Sequence, residues 1–244
     1  EIVRIYENSY SKEEIELALK NLIENRFVIY LRQSNSYLKL KETSGLDISS
    51  CIHDMLEKQK HTFSLCHILN DFNNENFFYP YRYNDEKEMT RYFAFTFIGA
   101  DELLDSSEFE NIEKTISADG AIFAIVCNSE SERKSVRDFL CSDVKKKKLE
   151  RILFALPKKV LSIEETARKF FALKELCNQA SDDEVLLSEY QVVLEDVCQV
   201  LFSFVRNYTR PEKKKSLYFL KGENLPIKRQ ADLTEVLSEI CDKV

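Results

Sequence analysis

The chain has 244 residues, 44% of them hydrophobic and 32% charged, with a formal net charge of −7. This is the balance of a folded, well-solvated protein with material for two or three packed units, and its negative sign disfavours a broad nucleic-acid footprint. The longest apolar stretch, Gly120 to Cys127, is far short of the roughly 20 residues that span a bilayer, and no basic region followed by an apolar one opens the chain.

The chain begins without Met in an apolar-alternating segment (Ile2, Val3, Ile5) and ends at Val244 inside an amphipathic helix, so both ends are expected to be cut from a longer protein. Ser11 with Glu14 forms a capping-box pattern, and Ile15, Leu19, Leu22 and Ile23 follow at helical spacing. Phe27–Leu31 and Tyr37–Leu40 are strand-like runs joined by the polar stretch 33–36. Helix, strand, turn, strand predicts a winged helix over residues 1–48. Residues 49–69 predict one further helix, and an Asn-rich linker completes a connecting unit, 49–76.

Residues 77–158 predict a small, mostly parallel α/β layer. Its elements are a strand-like pair, 77–83 and 91–98, a helix over 101–117, a strand at 121–127, a helix capped by Ser129 and Glu132, and a strand at 151–156 ended by Pro157. Residues 159–244 predict a helical hairpin. Its two helices are opened by Ser162/Glu165 and Ser181/Glu184 capping boxes, and the second carries a stripe from Tyr190 through Val193, Leu194, Val197, Val200, Leu201, Phe204 and Val205 to Tyr208. A short β-hairpin around Gly222 (217–220 and 225–227) and a last helix follow.

Glycine occurs only at 45, 99, 120 and 222, which excludes a phosphate-binding P-loop, a dinucleotide-binding glycine fingerprint and a nucleophile elbow. The fragment is therefore expected to be no enzyme and to carry no cofactor. His53, His61 and His67 fall on one predicted helix beside Cys66, at spacings that do not offer the i, i+4 pair of a helical zinc site, so no metal is expected. Seven cysteines without a C-x-x-C pair suit buried thiols in a reducing compartment, which points to the cytoplasm.

Three groups of residues are binding candidates. Arg82, Asp85 and Arg91 surround an Asn-Asp turn in Tyr79–Phe93, where aromatics interleave with Arg; they can clamp an anion, although a hairpin with tyrosines packed across strands is the simpler account. Arg32 and Lys39 sit on the predicted wing and Lys145, Lys146, Lys147 and Lys148 in a predicted loop; together they make a DNA-binding adaptor the second functional reading. Against it, Glu13, Glu14, Glu16 and Glu24 outnumber the cations of the first capped helix. A second basic run, Arg210 to Lys215, can join a phosphate-binding surface if the fold brings it to the first. A hydrolase with a non-standard site ranks third.

The run Y-P-Y-R-Y-N-D-E-K-E-M-T-R-Y-F at 79–93, with A-D-G-A-I-F-A-I-V at 118–126, L-F-A-L-P-K at 153–158 and L-S-E-I-C-D-K-V at 237–244, resembles the non-ATPase region of large bacterial P-loop proteins of phage-exclusion systems, the BrxC and PglY type. The resemblance covers nearly the whole chain. It implies a preceding ATPase domain as partner, other protein partners and a role in antiviral defence, with this segment as a non-catalytic interaction and coupling region. Arg82 and Arg91 are then candidate sensors of a neighbour's phosphates.

Overall fold

The computed structural model of the chain describes residues 2–6, 9–24, 27–30, 38–40, 44–58, 63–73, 76–105, 116, 118–147 and 149–243; at 3, 29, 30, 38–40 and 143–147 the description is of the backbone. Two short helices open it, α1 (Ile2–Tyr6) and α2 (Lys12–Glu24), followed by an antiparallel ribbon of β1 (Val28–Tyr30) and β2 (Leu38–Leu40) with Val28 opposite Leu40. The first apolar segment is thus helical. At the start of α2 the predicted box is closed: Ser11 N donates to Glu14 Oε2 at 2.9 Å and Glu14 N to Ser11 Oγ at 3.3 Å. The predicted turn at 33–36 lies outside the described residues.

The single helix expected over 49–69 is two, α3 (Ile48–Lys58) and α4 (Leu65–Phe72). A new start is dictated at Ser64, whose Oγ accepts from His67 N. His53 and His67 therefore stand on different helices, and His61 is not among the described residues.

The centre of the molecule is a six-stranded mixed sheet in chain order: β3 (Phe77–Phe78), β4 (Phe93–Gly99), β5 (Gly120–Val126), β6 (Ile152–Pro157), β7 (Ser216–Leu220) and β8 (Glu223–Leu225). The expected parallel layer is its middle, where β4 pairs with β5 and β5 with β6 in parallel, but the other three pairings are antiparallel. The reason lies in the connections. One helix, α7 (Glu130–Lys147), carries the chain from the end of β5 back to the start of β6, as a parallel crossover requires. Two helices, α8 (Glu164–Gln179) and α9 (Glu184–Thr209), separate β6 from β7 and return the chain to the end it left, where Lys158 N donates to Lys215 O at 2.8 Å; β7 must then run backwards along β6.

The expected pair 77–83 and 91–98 is present as β3 and β4, but β3 stops at Phe78, and the rest of the first run and the polar turn form a helix, α5 (Tyr81–Lys87), with Pro80 at its N-cap and Glu88 left-handed (φ 51°) at its end. After β4 comes α6 (Ala100–Leu104); most of the remainder of the helix expected to residue 117 lies outside the described residues. Lys145–Lys147, expected in a loop, are the last turn of α7. A short 3-10 turn (Pro211–Lys213) precedes β7, a Lys221–Gly222 turn with both φ positive (51° and 82°) joins β7 to β8, and α10 (Gln230–Asp242) follows. β8 thus begins two residues earlier than the run expected at 225–227.

Alternation along the strands divides the core. Ile122, Ala124 and Val126 of β5, Leu153 and Ala155 of β6 and Tyr218 of β7 face one apolar layer, to which α3, α4, α8, α9 and α10 contribute. Ala121, Phe123 and Ile125, Ile152, Phe154 and Leu156, and Phe219 face the other, closed by Leu103 of α6 and by Val136 and Leu140 of α7. All seven residues of β5 are buried, as in a strand covered on both faces.

Candidate functional sites: an arginine brace and a lysine groove

The Tyr79–Phe93 motif forms the first feature. Pro80 fixes the entry to α5, Tyr83 is buried, and Arg82 reaches α10. Its guanidinium donates through Nε to Glu235 Oε1 at 2.8 Å, through Nη2 to Asp242 Oδ2 at 2.7 Å and through Nη1 to Glu86 Oε2 at 3.2 Å. Donating to Asp242 and then to Glu235 raises its pKa further above an already high value. Tyr83 N donates to Ser238 Oγ at 3.4 Å, a second tie between α5 and α10.

Arg91 has a different setting. Asn84 Nδ2 donates to Arg91 O and Arg91 N to Asn84 Oδ1, both at 2.9 Å, so one side-chain amide closes the loop after α5. The Arg91 guanidinium lies 5.1 Å from the Tyr83 ring centre and 3.8 Å from Asp119 Oδ1, while the other Asp119 oxygen accepts from Tyr92 N. Arg82 and Arg91 therefore flank one short helix without sharing a ligand, and Asp85 is exposed on its surface. An incoming phosphate at Arg82 would have to displace three carboxylates of the same chain.

The second feature sits at the C-terminal end of β6. A cavity of about 220 Å³ is lined there by Pro157, Lys158, Lys159, Tyr208, Lys214 and Lys215, among others. Tyr208 forms part of its floor; its hydroxyl donates to Ile125 O at 3.2 Å, and its carbonyl accepts from the Tyr218 hydroxyl at 3.0 Å. Burial raises both phenol pKa values, so these groups act as fixed donors. Glu130, at the start of α7, accepts from Val160 N at 3.0 Å and from Arg133 Nε at 2.6 Å, which holds the loop after Lys159 and keeps the carboxyl below its usual range.

At the other end of the chain, α1, α2 and the start of the ribbon leave Ile5, Tyr6, Tyr10, Leu17, Leu22 and Phe27 between 41% and 69% exposed. Buried thiols complete the inventory: Cys66 and Cys127 are pushed up to about 12 chiefly by burial, so they remain protonated and unreactive near neutral pH.

The basic residues picked out for DNA fall as follows. Arg32 and Lys148 lie outside the described residues, Lys39 is in β2, and Lys145, Lys146 and Lys147 end α7. The sequence pointed to one half of the lysine groove, the run ending in Lys215, but not to the other, because Lys158 and Lys159 look like an ordinary strand exit until β7 is known to pair with β6. Compared with protein-family models, curated proteins and solved structures, the chain matches none.

Proposed function

We infer that the chain is a binding and coupling segment without catalytic groups of its own, attached in a larger cytoplasmic protein to an ATPase domain of the phage-exclusion kind. The observation that carries this reading is the apolar surface of the N-terminal unit. Among its described side chains over residues 2–28, only Ile15 and Val28 are buried, against six large apolar side chains left in solvent. Covering such side chains contributes up to about 1.5–3 kcal/mol each.

In this reading α2 and the β1–β2 ribbon form a winged helix that docks its apolar face on the neighbouring domain. α8 and α9 form a helical hairpin behind the sheet. The Arg82 contacts make α5 and α10 one block, so that a displacement of either moves both. Nucleotide hydrolysis belongs to the attached domain, and the resemblance of residues 79–93, 118–126, 153–158 and 237–244 supports that attachment and an antiviral role.

The test is ATP turnover by the full-length protein carrying Leu17→Glu and Leu22→Glu together, with limited proteolysis alongside. Docking predicts a several-fold loss of turnover and faster cleavage around α2. Turnover and cleavage equal to those of the unaltered protein would overturn the reading.

A further inference from the structure

We propose that the groove at the C-terminal end of β6 binds a short polyphosphate chain, either inorganic or the phosphate tail of a nucleotide. The proposal does not depend on the coupling reading, since it concerns a different surface.

The pairing of β6 with β7 places Pro157 opposite Ser216, and the next link is the hydrogen bond from Lys158 N to Lys215 O at 2.8 Å. That bond sets Lys158 against Lys215, a like-charged pair, and Lys159 and Lys214 line the same groove. Like charges directly opposite one another on neighbouring strands are destabilising. Among the described residues none of these four lysines has an ion-pair partner; other lysines, Lys58 and Lys87 among them, share that state, and here four such side chains line one groove. Glu130, which reaches the same loop, is already held by Val160 N and Arg133. Lys214 also adopts the left-handed conformation (φ 55°) that ends the 3-10 turn, a conformation that a residue with a Cβ adopts at a cost.

Among the described residues no acidic side chain lines the groove, so four ammoniums there favour an anion, and their chemistry limits what that is. Lysine ammoniums are compact point charges on flexible stems, which suit several phosphate oxygens spread along a chain better than one planar carboxylate. Buried Tyr208 and Pro157 line the groove beside them.

Thermal unfolding of the chain at low ionic strength, with pyrophosphate, triphosphate, ATP or single-stranded DNA, tests this. Triphosphate raises the melting temperature of the unaltered chain. The quadruple variant Lys158→Gln, Lys159→Gln, Lys214→Gln, Lys215→Gln melts higher without ligand, because the repulsion is gone, and no longer responds to triphosphate. Lys221→Gln, a lysine outside the groove, keeps the response. Triphosphate binding as tightly as ATP assigns the inorganic chain; ATP binding at least tenfold more tightly assigns a nucleotide. The proposal is overturned by the absence of any shift, by a shift that survives in the quadruple variant, or by single-stranded DNA binding more tightly than triphosphate with a steep salt dependence.

Discussion

Arg82 shows how one side chain can be legible in type and misjudged in role. Its charge and aromatic surroundings mark it in the sequence, but the alternation of Tyr79, Tyr81 and Tyr83 imitates the period of a strand and hides the helix that carries it. The helix prevails because Arg82 and Glu86 are four residues apart on one face, Tyr83 is buried, and Asn84 ties down the exit, three contacts that a hairpin would not make together. Glu235 and Asp242, the partners that fix its role, are about 150 residues away, beyond any local pattern. Replacing Arg82 with Ala leaves Glu86, Glu235 and Asp242 facing one another. The melting temperature should fall at low salt, and raising the salt or adding Glu235→Gln should recover part of the loss; a loss indifferent to both would show that packing rather than charge holds α5 to α10.

At the scale of elements, the lengths and order of the long helices and the buried strands were readable because each rests on a local period. The starts of α8 and α9 were not. Ser162 and Ser181 head capping patterns, yet Glu165 turns to Lys169 and α8 begins after Ile163, while the cap of α9 is Asp183, whose carboxylate accepts from Val185 N and Leu186 N at 3.1 and 3.0 Å. Three successive residues, Ser181, Asp182 and Asp183, can each cap a helix, and only the backbone path selects among them. Asp183→Ala should therefore cost about 1 kcal/mol in urea unfolding, and Ser181→Ala close to nothing. Equal effects of the two substitutions would move the cap. The sheet was half legible for a similar reason: strands reveal themselves by pattern, but the return of β7 along β6 is decided by the pair of helices between them.

For the whole molecule, burial links stability to pH on the alkaline side. Cys66 and Cys127 are raised from an ordinary value of 9.0 to about 12, and Tyr190 from 10.0 to about 12, in each case mainly by burial. Tyr208 and Tyr218 are raised as well. Between the unfolded and folded values the folded chain retains protons that the unfolded chain releases, so each unit of rising pH favours unfolding. With respect to these groups, stability is fully present below pH 9.0 and declines as pH rises from there towards about 12. Equilibrium denaturation across that interval checks this, and a flat profile would mean that these groups are not withdrawn from water.

The sheet also has two margins. One is β3, two residues long, and the other is β8, three residues long, each laid antiparallel on the strand inside it. Short margins of this kind give a passing chain few unpaired amides and carbonyls to template against, which guards against edge-to-edge aggregation. Crowded copies of this protein therefore find little to pair with at the margins of the central sheet.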